Sequence, residues 1–542
     1  METPPQFAGQ SGPGVGNCQR LDLVIVHHHF RACGVRRVIE LATPALARAW
    51  GRGLRRVVLA GGEPPPAAWL AELRARLPGL EVACRVEPAL GYLAEQAATP
   101  ATLSARLRDF FARAWADQTA ADCVVWAHNL GLCRNPLVNE ALARACAGSG
   151  VTLVLHHHDW WFDHRWQRWP EMRACGIRTL AQAAARVFLE GAHVRHAAIN
   201  RLDHRALRRG FGRQAGWLPN LVSPGEEVSA AAARAARRWL DDLLGERGAT
   251  VWLVPSRLLR RKNLAEAWLL TRWLRPEAWL VTTGGVSSQD ERPYSERLAL
   301  AAKRGRWRLR LGVLAANRPE QPAVPELLAA GEAVLLTSLQ EGFGLPYLEA
   351  ARAGRPLVAR LVPNVALDLE SLGFRFPQGY KEVLVPTGCL DWAAERKRQV
   401  RFFDTWRRRL PAELRARVTR PAWIEAGHPP ASLAFSRLTL TAQLELLAMP
   451  PDESWAMCAP LNSFLKTWQS RAATRALQVT SWPAAATRRL GAEAYARRLL
   501  RLLRVRPRRP AASRPALVAQ RAFLARALSA ANQYPLLWQP DT

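Results

Sequence analysis

The stretch Ala333–Leu361, AVLLTSLQEGFGLPYLEAARAGRPLVARL, predicts a strand, a glycine-rich loop, a helix and a second strand. Pro346 suits the first turn of a helix, where its missing N–H is not needed, and Gly354 suits the end of the same helix. Gly342 and Gly344 remove side chains just before the helix. Free backbone N–H groups and the positive end of the helix dipole favour an anion there. The stretch therefore predicts an α/β unit with an anion-binding loop.

Short β-rich runs alternate with helical stretches on both sides of this unit, a pattern typical of parallel sheets in α/β proteins. In the first half the predicted strands are Leu21–Val26, Arg56–Leu59, Cys123–Ala127 and Val151–Leu155. In the second half they are Thr250–Pro255, Ala278–Thr283, Arg308–Val313, Ala333–Ser338 and Pro356–Leu361. Two α/β domains follow from the two series.

A turn-rich run, WLPNLVSPG from residue 217, separates the two series and indicates a hinge. We divide the chain at this hinge and at the points where the composition changes. The expected parts are a disordered leader (1–19), an N-terminal domain (20–222), a linker helix (223–248), a C-terminal domain (249–448) and an Arg-rich helical extension (449–542).

Composition restricts the class of protein. The chain has 542 residues, of which 49% are hydrophobic and 22% charged, so it can build a large core. It contains no apolar run of about 18 residues that would predict a transmembrane helix, and its N-terminus lacks the pattern of a signal peptide. Nine cysteines without a C-x-x-C pair favour reduced thiols. We therefore expect a cytoplasmic protein, with peripheral contact to the inner face of a membrane left open.

The net charge of +31 raises nucleic acid or an anionic membrane as a partner. Only five of the 76 basic residues are lysines, and the arginines are spread over the whole chain. That distribution favours a general compositional drift over one nucleic-acid-binding face, so no nucleic-acid partner is expected. The run Arg497–Arg509 could lie on an anionic membrane, but a solvated helix face is the simpler interpretation.

The composite EGFGLPYLEA at residues 341–350 is far more specific than two glutamates eight residues apart. It closely resembles the donor-site motif of retaining glycosyltransferases of family 4, which have the GT-B fold. The resemblance implies two Rossmann-like domains facing a central cleft. It also implies that Glu349 holds the nucleotide ribose, that Glu341 contacts the donor sugar, and that backbone at Phe343, Gly344 and Leu345 meets the sugar and phosphates.

A second motif lies upstream, VWLVPSRLLRRKN at residues 251–263. It is similar to the family's strand that is followed by Arg and, five residues on, by Lys, which here are Arg257 and Lys262. The resemblance implies that both bind the diphosphate. Fixed cations suit that role because negative charge builds up on a departing nucleoside diphosphate.

The N-terminal half resembles the family more loosely. Gly34, in a Cys33-Gly34 pair where the family usually has two glycines, is expected to let backbone approach the donor. His158 and Asp159 follow the strand Val151–Leu155, where the family often has His-Asp near the donor sugar and the reaction centre.

Acceptor-side residues are expected around the same strand ends. His128 and Asn129 follow the strand Cys123–Ala127 and would line the acceptor side of the cleft, where Asp159 is expected as well. Arg165 and Arg168, in the loop after His158, could recognise an anionic acceptor.

Two HHH triplets, at 27–29 and 156–158, follow strands and could bind zinc. No cysteine or carboxylate spacing completes a metal site, and GT-B transferases need no catalytic metal. We therefore expect no metal and no cofactor other than a UDP- or GDP-linked sugar as co-substrate.

Together these features predict a retaining glycosyltransferase that moves mannose or glucose from a nucleotide diphosphate sugar to an acceptor hydroxyl. The acceptor could be a carbohydrate, a small polar molecule or a lipid-linked glycan. Two alternatives stay open. One is a nucleotide-sugar 2-epimerase of the same fold, and the other is a non-catalytic basic GT-B-like scaffold that binds membrane or nucleic acid.

Overall fold

The computed structural model describes residues 21–115, 122–163, 165–222, 228–286, 288–316, 318–426, 428–505 and 514–538. The expected leader, 1–19, lies outside these ranges, and so does the part of the basic run beyond residue 505.

The N-terminal domain is built on a seven-stranded parallel sheet in the order β3-β2-β1-β4-β5-β6-β7. Its strands are β1 (Leu21–Val26), β2 (Leu54–Gly61), β3 (Glu81–Val86), β4 (Cys123–His128), β5 (Thr152–His157), β6 (Val194–Ala198) and β7 (Ala215–Trp217). Its helices are α1 (Gly34–Trp50), α2 (Ala67–Ala75), α3 (Pro100–Trp115), α4 (Pro136–Ser149), α5 (Arg168–Ala174), α6 (Leu180–Val187) and α7 (Arg201–Phe211).

The C-terminal domain has a six-stranded parallel sheet in the order β10-β9-β8-β11-β12-β13, with β14 and β15 paired separately. The strands are β8 (Val251–Val254), β9 (Trp279–Thr282), β10 (Leu309–Arg310), β11 (Ala333–Leu336), β12 (Leu357–Arg360), β13 (Gln378–Tyr380), β14 (Leu384–Pro386) and β15 (Ser432–Ala434). Its helices are α8 (Ala230–Leu244), α9 (Leu264–Leu274), α10 (Arg292–Arg304), α11 (Val324–Ala330), α12 (Leu345–Arg352), α13 (Pro363–Glu370) and α17 (Leu440–Ala448). Between α13 and α17 lie α14 (Trp392–Arg409), α15 (Ala412–Arg415) and α16 (Ala422–Glu425). Phe403, Leu414 and Ile424 of these three helices share an apolar cluster with Trp161 and Met172 of the N-terminal domain.

The remaining described chain is helical, with α18 (Pro451–Cys458), α19 (Ser463–Ala473), α20 (Ala484–Leu490), α21 (Ala492–Leu503), α22 (Pro515–Ala527) and α23 (Pro535–Trp538).

The central strands of both sheets are buried apolar runs, because helices cover both faces of a parallel sheet. Every residue of β4, β8, β11 and β12 is buried. In each sheet the strand order reverses beside the first strand, between β1 and β4 and between β8 and β11. Ligands bind at such switch points in α/β proteins. The expected GT-B arrangement of two Rossmann-like domains is confirmed.

The linker helix α8 packs against α11 of the C-terminal domain. Leu240 and Leu244 of α8 lie in the same apolar cluster as Leu253 and Val334 of the sheet. The helix that we predicted as a linker between the domains is therefore attached to one of the two.

The helices beyond residue 449 are divided between the domains. Helices α18 and α19 contact α9 of the C-terminal domain, whereas α21 contacts α1 and α22 contacts α7 of the N-terminal domain. The C-terminal segment thus returns to the first domain and covers two of its helices.

The apolar side of the basic helix α21 is occupied by this packing. Leu499 and Leu502 are buried in the N-terminal core cluster, while Arg497 and Arg501 are exposed. Among the described residues no helix has the length and apolar character needed to cross a membrane.

Candidate active site

A cavity of about 690 Å³ lies between the two domains. Loops that follow β1, β4 and β5 line one wall, and loops that follow β8 and β11 line the other. Both sheets therefore direct their carboxyl ends at the same space, as the GT-B fold implies. The predicted site residues that line it are Gly34, His158, Asp159, Arg165, Arg168, Arg257, Lys262, Glu341, Phe343, Gly344, Leu345 and Glu349.

A buried ion pair dominates the C-terminal wall. The Lys262 ammonium contacts the Glu341 carboxylate, and both side chains are 8% exposed. The Arg261 guanidinium lies 3.8 Å from the same carboxylate and donates to the Gln340 carbonyl at 3.0 Å. The two sequence motifs are thus in direct contact in the structure.

Backbone contacts fix this pair. The Thr337 hydroxyl donates to the Lys262 carbonyl at 2.9 Å, and the Leu339 N–H donates to the Arg261 carbonyl at 2.8 Å. Asn263 takes the left-handed conformation (φ +49°) and ends the short turn that carries Lys262. The loops after β8 and β11 are therefore held to each other, and the ion pair sits on rigid backbone.

Opposing effects set the ionisation of the pair. Burial would raise the pKa of Glu341, but the Lys262 and Arg261 charges lower it overall. Burial lowers the pKa of Lys262, and the Glu341 charge opposes that shift. The C-terminal wall therefore presents an ionised carboxylate beside fixed cations.

The glycine loop brings the motif close to both domains. Gly344 has φ +78°, and a Cβ atom there would lie 2.3 Å from Val365 Cγ1, so only glycine fits. At Gly342 a Cβ atom would lie 3.1 Å from the His158 carbonyl oxygen of the other domain. Asn200 of the N-terminal domain also donates to the Gly342 carbonyl at 3.2 Å. The loop thus forms the junction between the two walls.

Glu349 lies inside α12, about one turn beyond Gly344. Burial raises its pKa to about 7, against the opposing charges of Arg352 and Lys262. A carboxyl group with that pKa is poised between its neutral and ionised forms at neutral pH.

The N-terminal wall presents a neutral histidine at the end of β5. His158 is buried, and its Nε2 lies 3.1 Å from His128 Nδ1. Burial, followed by the neighbouring His156, holds the pKa of His158 well below its usual range. The imidazole is therefore uncharged at neutral pH and acts as a hydrogen-bonding group.

Asp159 follows His158 and is ionised. Its carboxylate accepts from Arg165 at 3.1 Å and from the Asn129 side chain at 3.3 Å. Burial alone would raise the pKa of Asp159, but the charges of Arg165 and Arg261 lower it overall. The two charged groups therefore largely neutralise each other on this wall.

His128 lies behind the wall of the cavity. We predicted it, with Asn129, on the acceptor side of the cleft, and the structure places it fully buried and outside the residues that line the cavity. Its ring packs against Trp126 at 4.2 Å between ring centroids, behind His158. The next residue, Asn129, has a left-handed backbone conformation (φ +59°) and lines the cavity, as predicted.

Arg168 lines the cavity but is only 4% exposed. Its guanidinium donates to both oxygens of Glu171 at 2.6 Å. Of the two arginines predicted to meet an acceptor, Arg165 is the more accessible.

Gly34 is the first residue of α1, and the Cys33 thiol accepts the Arg36 N–H at 3.4 Å. A Cβ atom at Gly34 would meet no heavy atom within 4 Å. The open space in front of this helix start belongs to the cavity.

Sequence reasoning missed several residues that line the cavity, among them Arg134, Tyr92 and Arg261. Arg261 adjoins Lys262 in the RRK run, so its position next to the motif was a usable signal. Tyr92 and Arg134 lie in loops without a motif, and only the fold brings them to the cleft.

Two clusters could hold a metal ion. The ligand atoms of His128, His156 and His158 lie within 4.8 Å of one another, and so do those of His27, His29 and Cys33. Neutral imidazole is a common ligand of zinc. In the described parts of the chain, these two groups bring three ligand atoms close enough together to bind one metal ion.

No family model matches the chain. The mannosylglucosyl-3-phosphoglycerate synthase of Petrotoga mobilis is 26% identical over 247 residues, which are 42% of this chain and 44% of that protein. The match thus spans less than half the length of this curated relative.

Similar solved structures include HepE of Anabaena in complex with UDP and glucose, with 17% identity and a TM-score of 0.46 over 67% of this chain and 85% of that chain. A glycosyltransferase from Rickettsia africae has 10% identity and a TM-score of 0.43 over 89% of this chain and 98% of that chain.

Proposed function

We propose that the protein is a retaining glycosyltransferase that transfers a hexosyl unit, mannose or glucose, from a nucleotide diphosphate sugar to an acceptor hydroxyl. The observation that carries this proposal is the buried ion pair between Lys262 and Glu341, the residue before the glycine loop. This pair and His158 line the same cavity. The partial similarity to a mannosylglucosyl-3-phosphoglycerate synthase also supports it.

The leaving diphosphate is assigned to the C-terminal wall. Arg257, Arg261 and Lys262 line the cavity there, so their fixed charges can stabilise the negative charge that develops on the departing phosphate. Because Lys262 is held by backbone contacts and by Glu341, its charge is positioned before the donor arrives. Glu349 would accept hydrogen bonds from the nucleotide ribose.

The reacting sugar is assigned to the space between Glu341 and His158. The ionised Glu341 accepts hydrogen bonds from sugar hydroxyls, and the neutral His158 can orient the ring without adding charge. In the proposed reaction the acceptor attacks on the face from which the diphosphate departs, and a phosphate oxygen takes the acceptor proton. No side chain then has to act as a nucleophile.

The acceptor enters from the N-terminal wall in this proposal, near Asp159 and Arg165. A carbohydrate, a small polar molecule or a lipid-linked glycan would each present the hydroxyl that the reaction needs. We propose a cytoplasmic location, where nucleotide sugars serve as donors.

The test is incubation of the protein with UDP-glucose, GDP-mannose and ADP-glucose, each with a panel of sugar acceptors. Release of nucleoside diphosphate is measured, and proton NMR gives the anomeric configuration of the product. We expect one donor to be consumed with retention of configuration. The Glu349→Ala variant should lose this activity, whereas Glu296→Ala, an exposed position on α10, should keep it.

Other outcomes separate the alternatives. Conversion of the donor to a different sugar without any acceptor would identify an epimerase. An unchanged donor, together with steeply salt-dependent binding to anionic vesicles or nucleic acid, would favour the scaffold.

A further inference from the structure

Arg134 stands apart from the other arginines of the N-terminal wall. Arg165 pairs with Asp159 and Arg168 pairs with Glu171. Arg134 lines the same cavity, yet none of the carboxylates in the described ranges lies within ion-pair distance of it. Its Nε atom is buried and finds no hydrogen-bond partner among those residues.

The position of Arg134 is fixed from both sides. Its guanidinium lies over the Tyr92 ring, 4.9 Å from the centroid. Its carbonyl accepts the Leu93 N–H at 3.0 Å, and the adjacent Asn135 side chain caps α4. An arginine held in this way loses little freedom when it binds a ligand.

The acidic side chains nearby are already engaged. Glu95 pairs with Arg31, and Asp159 and Glu171 pair with the two neighbouring arginines. Burial, with the Asp203 charge second, raises the pKa of Asp163 to about 7, so that carboxyl group adds little negative charge near neutral pH. The wall therefore has one cation more than its described acidic partners balance.

The pKa of Arg134 is consistent with this excess of positive charge. Burial lowers the pKa of Arg134, and the charges of Arg168 and Arg165 lower it further, against Tyr92 and Glu171. Arginine nevertheless stays protonated in proteins. An anion at this point would relieve the repulsion between the three guanidinium groups.

We propose that Arg134, together with Arg165, forms a subsite for an oxyanion group of the acceptor, either a phosphate or a carboxylate. The proposal rests on the proposed transferase function, because it assigns this part of the cavity to the acceptor. The planar guanidinium can donate two parallel hydrogen bonds to either group. The acceptor would therefore be an anionic sugar or sugar derivative rather than a neutral one.

The experiment measures binding of inorganic phosphate and of acetate by calorimetry, at constant ionic strength set with chloride. Each titration is run on the free protein and on protein saturated with the nucleoside diphosphate that it binds, because that ligand blocks the donor phosphate site. The variants are Arg134→Gln, Arg134→Lys and, as the control, Arg52→Gln. Arg52 is exposed just before β2, at the amino end of that strand, whereas the cleft lies at the carboxyl ends.

We expect phosphate or acetate to bind the nucleotide-saturated protein, and the preferred one indicates the acceptor group. Arg134→Gln should weaken this binding at least about tenfold, as the loss of a charge-assisted hydrogen bond implies. Arg134→Lys should retain part of it, and Arg52→Gln all of it. Nucleotide affinity, unchanged in every variant, shows that the variants are folded.

Two results would overturn the subsite. One is equal anion affinity in wild type and Arg134→Gln while both bind nucleotide, and the other is no anion binding by a protein that binds nucleotide. Failure to bind any nucleoside diphosphate would instead count against the transferase function, so the two failures are distinguishable.

Discussion

The two walls of the cleft differ in the charge state of the side chains at their strand ends. On the C-terminal wall, cations and carboxylates lie in close pairs, as in Lys262–Glu341 and Arg260–Glu291. On the N-terminal wall, the ends of β1 and β5 carry histidines whose pKa values burial lowers, among them His27 and His158. This difference indicates that the two walls bind different parts of the donor. The C-terminal wall stabilises the charged leaving group. The neutral histidines orient the donor sugar, beside the arginines of the same N-terminal wall.

The largest effect on activity should come from removing the Lys262 ammonium group of the C-terminal wall. Lys262→Met should reduce the rate of sugar transfer about 10²- to 10³-fold, because the fixed charge that stabilises the leaving diphosphate is lost. Steady-state kinetics with the preferred donor measures this reduction in rate.

Lys303→Met is the matched control, since Lys303 is exposed on α10. A Lys262→Met enzyme with wild-type turnover would place the leaving group elsewhere.

The neutral histidines of the N-terminal wall lead to a different prediction. His158→Ala should lower turnover about 10²-fold, the order expected when one preorganised hydrogen-bonding group is removed. Because His158 is already neutral, wild-type activity should show no change that follows histidine protonation between pH 6 and 7. A pH–rate profile measures this.

His193→Ala, at a half-exposed position just before β6, should leave turnover unchanged. A limb near pH 6.5 that disappears in His158→Ala would mean that His158 is charged during the reaction.

The pH dependence of the free energy of unfolding tests whether the buried Glu349 carboxyl group destabilises the protein when it ionises. Its pKa is raised from 4.5 to about 7, so the folded protein binds this proton more tightly than the unfolded chain. The resulting stabilisation is present below pH 4.5 and is lost as the pH rises through 7. At pH 8, ionisation of the buried group costs about 3 kcal/mol.

Glu349→Gln should therefore raise the melting temperature at pH 8 and have little effect at pH 5, while donor affinity falls. Scanning calorimetry at both pH values is the measurement. An equal shift at both would show that the carboxyl group is not titrating.

The smallest effect concerns the packing of α22 on α7, which supports the N-terminal domain. A Cβ atom at Gly210 of α7 would lie 2.1 Å from the Pro515 carbonyl oxygen at the start of α22. Gly210→Ala should destabilise the protein by about 1–3 kcal/mol, since the backbone of α22 has to shift.

Gly148→Ala in α4 is the matched control, because its added methyl group would meet no atom within 4 Å. It should be neutral or slightly stabilising. Equal melting temperatures for the two variants would show that α22 does not depend on this contact.

The C-terminal wall could be predicted because its determinants are local. Gly344, Pro346 and Glu349 lie in one strand–loop–helix–strand unit, and the two strands predicted around them, Ala333–Ser338 and Pro356–Leu361, contain β11 and β12. Backbone geometry and spacing sufficed for these elements.

The N-terminal wall depends on contacts between distant parts of the chain. Strand β6 was missed because Arg195 and His196 interrupt its apolar pattern. Both are buried, and the Arg195 guanidinium donates to the Leu502 and Val505 carbonyls, about 300 residues away along the chain. The burial of His128 likewise follows from its neighbours on β5, and no local pattern distinguishes it from His158.

The most direct test of the account is a calorimetric titration of wild type and Lys262→Met with UDP-glucose, GDP-mannose and ADP-glucose. The account predicts that wild type binds one of the three and that Lys262→Met binds it at least about tenfold more weakly, since a charge-assisted contact to the diphosphate is lost. Equal affinity in the two proteins, or no binding by wild type, would contradict the assignment of the cleft as a nucleotide-sugar site.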